Sequence, residues 1–77
     1  MIVYGSKQCP DTQECLAALT KTGTPHEFRD IAELPVLKEF LQYRDTLPLF
    51  EEVRANGGIG IPLIVQDNGQ FSFDWTE

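Results

Sequence analysis

The residue types with the most chemical potential meet in one stretch, Ser6-Lys7-Gln8-Cys9-Pro10-Asp11-Thr12. Cys9 stands where an apolar run, Ile2-Val3-Tyr4, gives way to a helical pattern opening at Pro10. The unpaired N–H groups and dipole of a helix N-terminus favour a thiolate, the form in which cysteine attacks. Lys7 adds to that effect if it points inward, and Asp11 opposes it if its carboxylate lies close. Thr12 has two readings: its hydroxyl donates to the Cys9 sulfur, or it caps the helix start. Cys9 is therefore the candidate catalytic nucleophile, with Pro10 and Thr12 supporting it. The alternative is a cysteine that does no chemistry.

The other reactive types are less well set. Cys15 follows six residues after Cys9, about 9 Å of helical rise and a different face. A disulfide needs Cα atoms within about 7 Å, so bridging the pair requires the first helical turn to unwind. Cys15 reads as a buried structural cysteine. His26, the one histidine, follows a turn without an evident acidic partner and reads as a strand-end residue. The two cysteines are too few for a secreted disulfide scaffold and are not spaced as metal ligands, so no metal site is expected.

Those residues must be positioned by a single small domain of 77 residues, 42% of them hydrophobic, near the size where one core only just sustains a fold. A net charge of −6 with six scattered basic residues argues against nucleic acid, whose affinity comes from clustered Lys and Arg. The opening residues lack the charged and apolar regions of a signal peptide. No apolar run reaches membrane-spanning length. The expected setting is the reducing cytoplasm, without a membrane partner.

Ile2-Val3-Tyr4 predicts a buried strand ended by Gly5-Ser6. A helix is expected from about Pro10 to Thr22, with Pro10 at a first-turn position, Cys15, Leu16, Ala18 and Leu19 as its apolar stripe, and Gly23 after it. Glu27 to Ile31 predicts a second strand, and strand, helix and strand at this spacing imply a parallel βαβ unit. Pro35 opens a second helix with Val36, Leu37, Phe40 and Leu41 apolar. It weakens near Arg44-Asp45-Thr46, and Pro48 restarts a helix that Asn56-Gly57-Gly58 stops. Ile59 to Val65 is β-prone, but Pro62 belongs at a strand edge or start. Asp67-Asn68-Gly69 signals a tight turn into a returning strand from Gln70 to Asp74, with Phe71, Phe73 and Trp75 alternating on one buried face. Trp75 should cover the sheet; left exposed, that aromatic face would drive dimerisation.

This order, with Cys9-Pro10 after Val3-Tyr4, Gly60-Ile61-Pro62 ahead of Leu63-Ile64-Val65, and the Asn68-Gly69 hairpin, resembles the glutaredoxins. It looks most like the small glutaredoxin-related proteins carrying Cys-Pro-Asp-Thr in place of Cys-Pro-Tyr-Cys. The resemblance implies an α/β thioredoxin-like fold, a four-stranded mixed sheet built as βαβ, helices and a ββ hairpin, in which Pro62 is a cis-proline beside the reactive sulfur. Thr12 replaces the resolving cysteine, Ser6 replaces a common Lys or Arg, the Gly-Gly pair of the last strand is absent, and the C-terminal helix is missing.

What the resemblance implies for function is a thiol–disulfide oxidoreductase working through Cys9 alone. It removes glutathione from thiols with a second glutathione as cosubstrate, and Lys7, Ile61, Pro62 and Asp74 form the substrate-binding set. Partners are then glutathione or protein thiols, with the protein a monomer or weak homodimer and no bound cofactor. Two further readings stand beside it. One is a non-enzymatic binding module using the surface around Pro62. The other is a [2Fe–2S] carrier, to which a proline directly after the cysteine is a poor match.

Overall fold

In a computed structural model, which describes residues 1–75, the chain forms a mixed α/β fold. Its elements are β1 (Ile2–Gly5), α1 (Pro10–Lys21), β2 (Glu27–Asp30), α2 (Leu34–Thr46), a 3-10 turn at Pro48–Phe50 running into α3 (Glu51–Ala55), β3 (Leu63–Val65) and β4 (Phe71–Ser72). Among the described residues the strands form one sheet in the order β2-β1-β3-β4. β1 pairs parallel to β2 and antiparallel to β3, and β3 pairs antiparallel to β4.

Alternation along β1 divides the core between the two faces of the sheet. Val3 points to the face covered by α1, where it packs with Ile64, Cys15 and Leu19. Tyr4 points to the other face, with Leu63, Phe40 and Phe50. The pairing register agrees, setting Val3 opposite Phe28 and Ile64, and Tyr4 opposite Leu63. Thr12, Cys15 and Leu19 are the buried positions of α1, spaced as one helical stripe.

The second face is aromatic. The Phe50 ring meets Phe40 edge-on at 5.8 Å and Phe73 edge-on at 5.1 Å. The Tyr4 hydroxyl is bonded to the Glu39 carboxylate, and Arg29 Nη1 donates to both, at 3.1 Å to Tyr4 and 2.5 Å to Glu39. Burial, followed by the bond to Glu39, pushes the Tyr4 phenol well above its ordinary range. The stripe α2 presents to this core is Val36, Phe40 and Tyr43, continued by Leu47 just past its end. Leu41, expected on that face, is exposed.

The break between the helices falls at Leu47, whose extended backbone (φ −81°, ψ 134°) is what a residue before proline prefers. Arg54 Nη1 donates to the carbonyl oxygens of Arg44 and Leu47, satisfying acceptors where α2 ends.

Three strand expectations are corrected. The run from Ile59 to Val65 is a strand only from Leu63, because Gly60 (φ +87°) and the cis Ile61–Pro62 peptide break the ladder before it. β4 stops at Ser72 instead of reaching Asp74. There the Asp74 N–H donates to Ser72 Oγ at 2.9 Å, a local bond of the kind that competes with ladder pairing. Phe71, Phe73 and Trp75 consequently do not share a face. The two phenylalanines pack with Tyr4, whereas Trp75 packs over Val3, Cys15, Leu19 and Ile64 on the side of α1. No helix follows β4 among the described residues, and no helix there is long and apolar enough to cross a membrane.

Phe50, fully buried, anchors the 3-10 turn to this core. Phe50→Ala is expected to destabilise the fold by about 3–5 kcal/mol, the range for truncating a buried phenylalanine. Urea unfolding followed by Trp75 fluorescence measures it, and a loss within error of zero would contradict the packing.

Candidate functional site

The site begins with a strand that must turn into a helix within four residues. The turn is held from inside: the Cys9 N–H donates to Ser6 O at 2.9 Å, and the Gln8 N–H to Ser6 Oγ at 3.2 Å. The Gln13 side-chain amide donates to the Lys7 carbonyl. Cys9 is the N-cap of α1, with extended backbone (φ −90°, ψ 122°), and Pro10 occupies the first helical position, where its missing N–H leaves nothing unpaired. The Gln13 N–H takes the Cys9 carbonyl at 3.0 Å. The amides of Asp11 and Thr12 are thus the helix's first donors without an i−4 partner, in the turn that follows Cys9.

Thr12 has neither of its expected roles. Its hydroxyl makes no side-chain cap and no hydrogen bond with the Cys9 sulfur among the described residues; it accepts the Ser6 N–H at 3.4 Å. The side chain is fully buried against the end of β1. A Cβ on Gly5 would sit 2.6 Å from Thr12 Oγ1 and 2.7 Å from Cγ2, well inside van der Waals contact. Thr12 supports Cys9 by seating the helix on the strand.

Cys9 is half-buried and opens into a cleft of about 590 Å³. Its walls come from three segments: Ser6 and Gln8, then Ile31 and Ala32 just past β2, then Ile59, Gly60 and Ile61 ahead of β3. Parallel pairing of β1 and β2 brings their C-terminal ends together, and the Ile31 N–H donates to Gly5 O at 2.9 Å. A crevice beyond the carboxyl ends of strands is where open α/β sheets place ligands. Gly60 carries the third segment past the Phe50 ring, whose Cε1 lies 2.5 Å from where a Cβ would be.

Of the expected substrate-binding set, Ile61 lines this cleft and Pro62 directly follows it, buried, with the Ile61–Pro62 peptide cis. The others fall elsewhere. Lys7 is exposed and does not line the cleft. Asp74 borders a separate hollow with Met1, Asp67, Gln70 and Trp75, past the end of β4 at Ser72. Ile31, Ala32 and Ile59 were not anticipated as cleft residues. The parallel pairing of the first two strands was the signal for Ile31 and Ala32; Ile59 carried none, since it reads equally well as strand.

Cys15 lies fully buried under Trp75 in the core beside α1, and burial pushes its thiol up to about 11. Both cysteines are free. His26 Nδ1 is 2.8 Å from the Thr24 carbonyl oxygen at the start of β2. Among the described residues no group of three or more His, Cys, Asp or Glu side chains is arranged to hold a metal.

Fold and site together define a small α/β protein with a half-buried thiol at a helix N-terminus, facing a cleft beside a cis-proline. No protein-family model matches the chain, and no solved structure matches it. An uncharacterized protein of Haemophilus influenzae is 35% identical to it over 77 residues, covering 99% of this chain and 90% of that protein. The chain belongs to the same family as that Haemophilus influenzae protein.

Two predictions follow from the seating of α1. Gly5→Ala should cost about 1–3 kcal/mol by overpacking. The Gly5→Ala/Thr12→Ala pair should lose less than the sum of the single losses, as coupled neighbours do; additive losses in urea would contradict the contact. For Cys15, the folded state keeps a proton that the unfolded chain releases between the thiol's ordinary value of 9.0 and about 11. Its contribution to stability is complete below that window and declines as pH rises through it. Denaturation across pH 9 to 11 should therefore show a shallower decline in Cys15→Ala than in the parent, and identical slopes would refute the assignment.

Proposed function

We propose that this chain is a thioredoxin-fold, glutaredoxin-like protein that carries out thiol–disulfide exchange through Cys9 alone. One observation carries the reading: a half-buried cysteine at the N-cap of α1 shares its cleft with Gly60 and Ile61, immediately before cis Pro62. The sheet order, with β1 parallel to β2 and antiparallel to β3, supports the same fold. The Cys9 thiolate attacks the glutathione sulfur of a glutathionylated thiol. A new S–S bond forms to Cys9, the old one breaks, and the departing substrate sulfur leaves as a thiolate and takes up a proton. With Thr12 in place of a second cysteine, release falls to an external thiol. A second glutathione, as its thiolate, attacks the glutathione sulfur held on Cys9, forms glutathione disulfide with it and returns Cys9 to the thiolate.

A non-enzymatic binding module is the second reading. It is favoured by Lys7 and Asp74 lying outside the cleft, which leaves glutathione's charged ends without those partners.

Incubation with oxidised glutathione, followed by intact-mass analysis, separates the two. The expected product carries one glutathione, located on Cys9 by peptide mapping and absent from Cys9→Ser. Cys15 should stay unmodified until the protein is unfolded. A parent protein that acquires no adduct would favour the binding module.

A further inference from the structure

The walls of the Cys9 cleft are aliphatic, and the charges next to them are largely of one sign. Ile31, Ala32 and Ile61 line it, and Ile59 lines it while 56% exposed. Leu34, three residues past Ile31 at the start of α2, is 62% exposed. None of the residues lining the cleft is charged, but three carboxylates adjoin lining residues along the chain. Asp11 lies in the first turn of α1, exposed, two residues from Cys9. Asp30 Oδ1 accepts the Ala32 N–H at 2.9 Å, which fixes that carboxylate against a wall residue. Glu33 is the exposed N-cap of α2. Lys7 is the cation on this loop, and Arg29, next to Asp30, is engaged by Glu27, Glu39 and Tyr4.

We infer that this cleft docks a basic, aliphatic segment of a partner protein, one whose cysteine is held in a disulfide that Cys9 attacks. The inference rests on the thiol-exchange reading of Cys9 and names its substrate class. Exposed aliphatic side chains supply contact area for an apolar residue next to the partner's cysteine. The acidic flank attracts Lys or Arg on the same segment. A second copy of this chain is the wrong occupant, because it brings the same acidic flank and another net charge of −6.

The test compares rates of exchange at Cys9 in the whole protein. Two synthetic peptides each carry one cysteine between leucines, as a mixed disulfide with mercaptoethanol, one flanked by lysines and the other by glutamates. Hydroxyethyl disulfide is the neutral small probe. The lysine peptide should react about tenfold faster than the glutamate peptide at low salt, the lower end of electrostatic steering. High salt should collapse that ratio. Because both rates share one nucleophile, the ratio cancels the intrinsic reactivity of Cys9, so a narrower ratio in Asp11→Asn/Glu33→Gln reports docking alone. Ile59→Ser, at an exposed position, should slow the lysine peptide severalfold more than it slows hydroxyethyl disulfide. Equal peptide rates, or an Ile59→Ser variant that treats all probes alike, overturn the inference while exchange with hydroxyethyl disulfide keeps the thiol reading intact. If hydroxyethyl disulfide itself does not react, the thiol reading fails. Docking is then decided by amide shifts at Ile31, Ala32, Ile59 and Ile61 with the lysine peptide carrying serine for cysteine: shifts there support it, and their absence overturns it.

Discussion

Gly5 has no side chain, and the rest of the site depends on that vacancy. Thr12 fills it, with Oγ1 lying 2.6 Å from the place a Cβ would take and accepting the Ser6 N–H. This contact sets the first turn of α1 directly on the end of β1. The turn between them is then so short that Cys9 has one position available, the N-cap, with its side chain over the cleft. A larger residue at position 5 would lift the helix start and with it the sulfur. The thiol is placed by backbone proximity, not by a bond to its own side chain.

The same helix holds two cysteines with opposite fates, and geometry alone separates them. Cys9 sits before the first turn, half in solvent, at the N-cap. Cys15 lies on the Thr12–Cys15–Leu19 stripe, sealed by Trp75 and pushed up to about 11 by burial. A thiolate in that apolar layer would lack both water and a counter-charge. Reactivity along α1 therefore follows solvation and not residue type.

The two faces of the sheet are built differently. Beside α2 and the 3-10 turn, Tyr4, Phe40, Tyr43, Phe50, Phe71 and Phe73 form a chain of ring contacts. Its polar edge is closed by Tyr4, Arg29 and Glu39. Beside α1 the core is smaller, and Trp75 extends it from a segment with no ladder pairing. The end of β4 at Ser72, past which Trp75 reaches this face, also leaves Asp74 bordering a hollow separate from the Cys9 cleft. Covering the smaller core and lining the Cys9 cleft are alternative uses of the same few residues, and packing selects the first.

Much of this was legible along the chain. Pro10 after Cys9 marks a helix start, Pro48 forces the break at Leu47, and Pro62 confines β3 to the residues beyond it; each acts through its own ring on the adjacent backbone. Hydrophobic spacing likewise puts Cys15 and Leu19 on one side of a helix, with the buried Thr12 added only by the structure. By itself, then, the sequence determined where the helices start and break and where a thiol meets a helix N-terminus, because these depend on neighbours within a turn. Only the tertiary structure decided that Thr12 serves Gly5 and not the sulfur, that Ile31 and Ile59 face each other across a cleft, that Leu41 stays in solvent, and that Trp75 and Asp74 leave the face of Phe73. Those outcomes turn on strand register, on a serine competing for a ladder amide, and on which residues fill the space between distant segments. None of these is encoded in the spacing of adjacent residues.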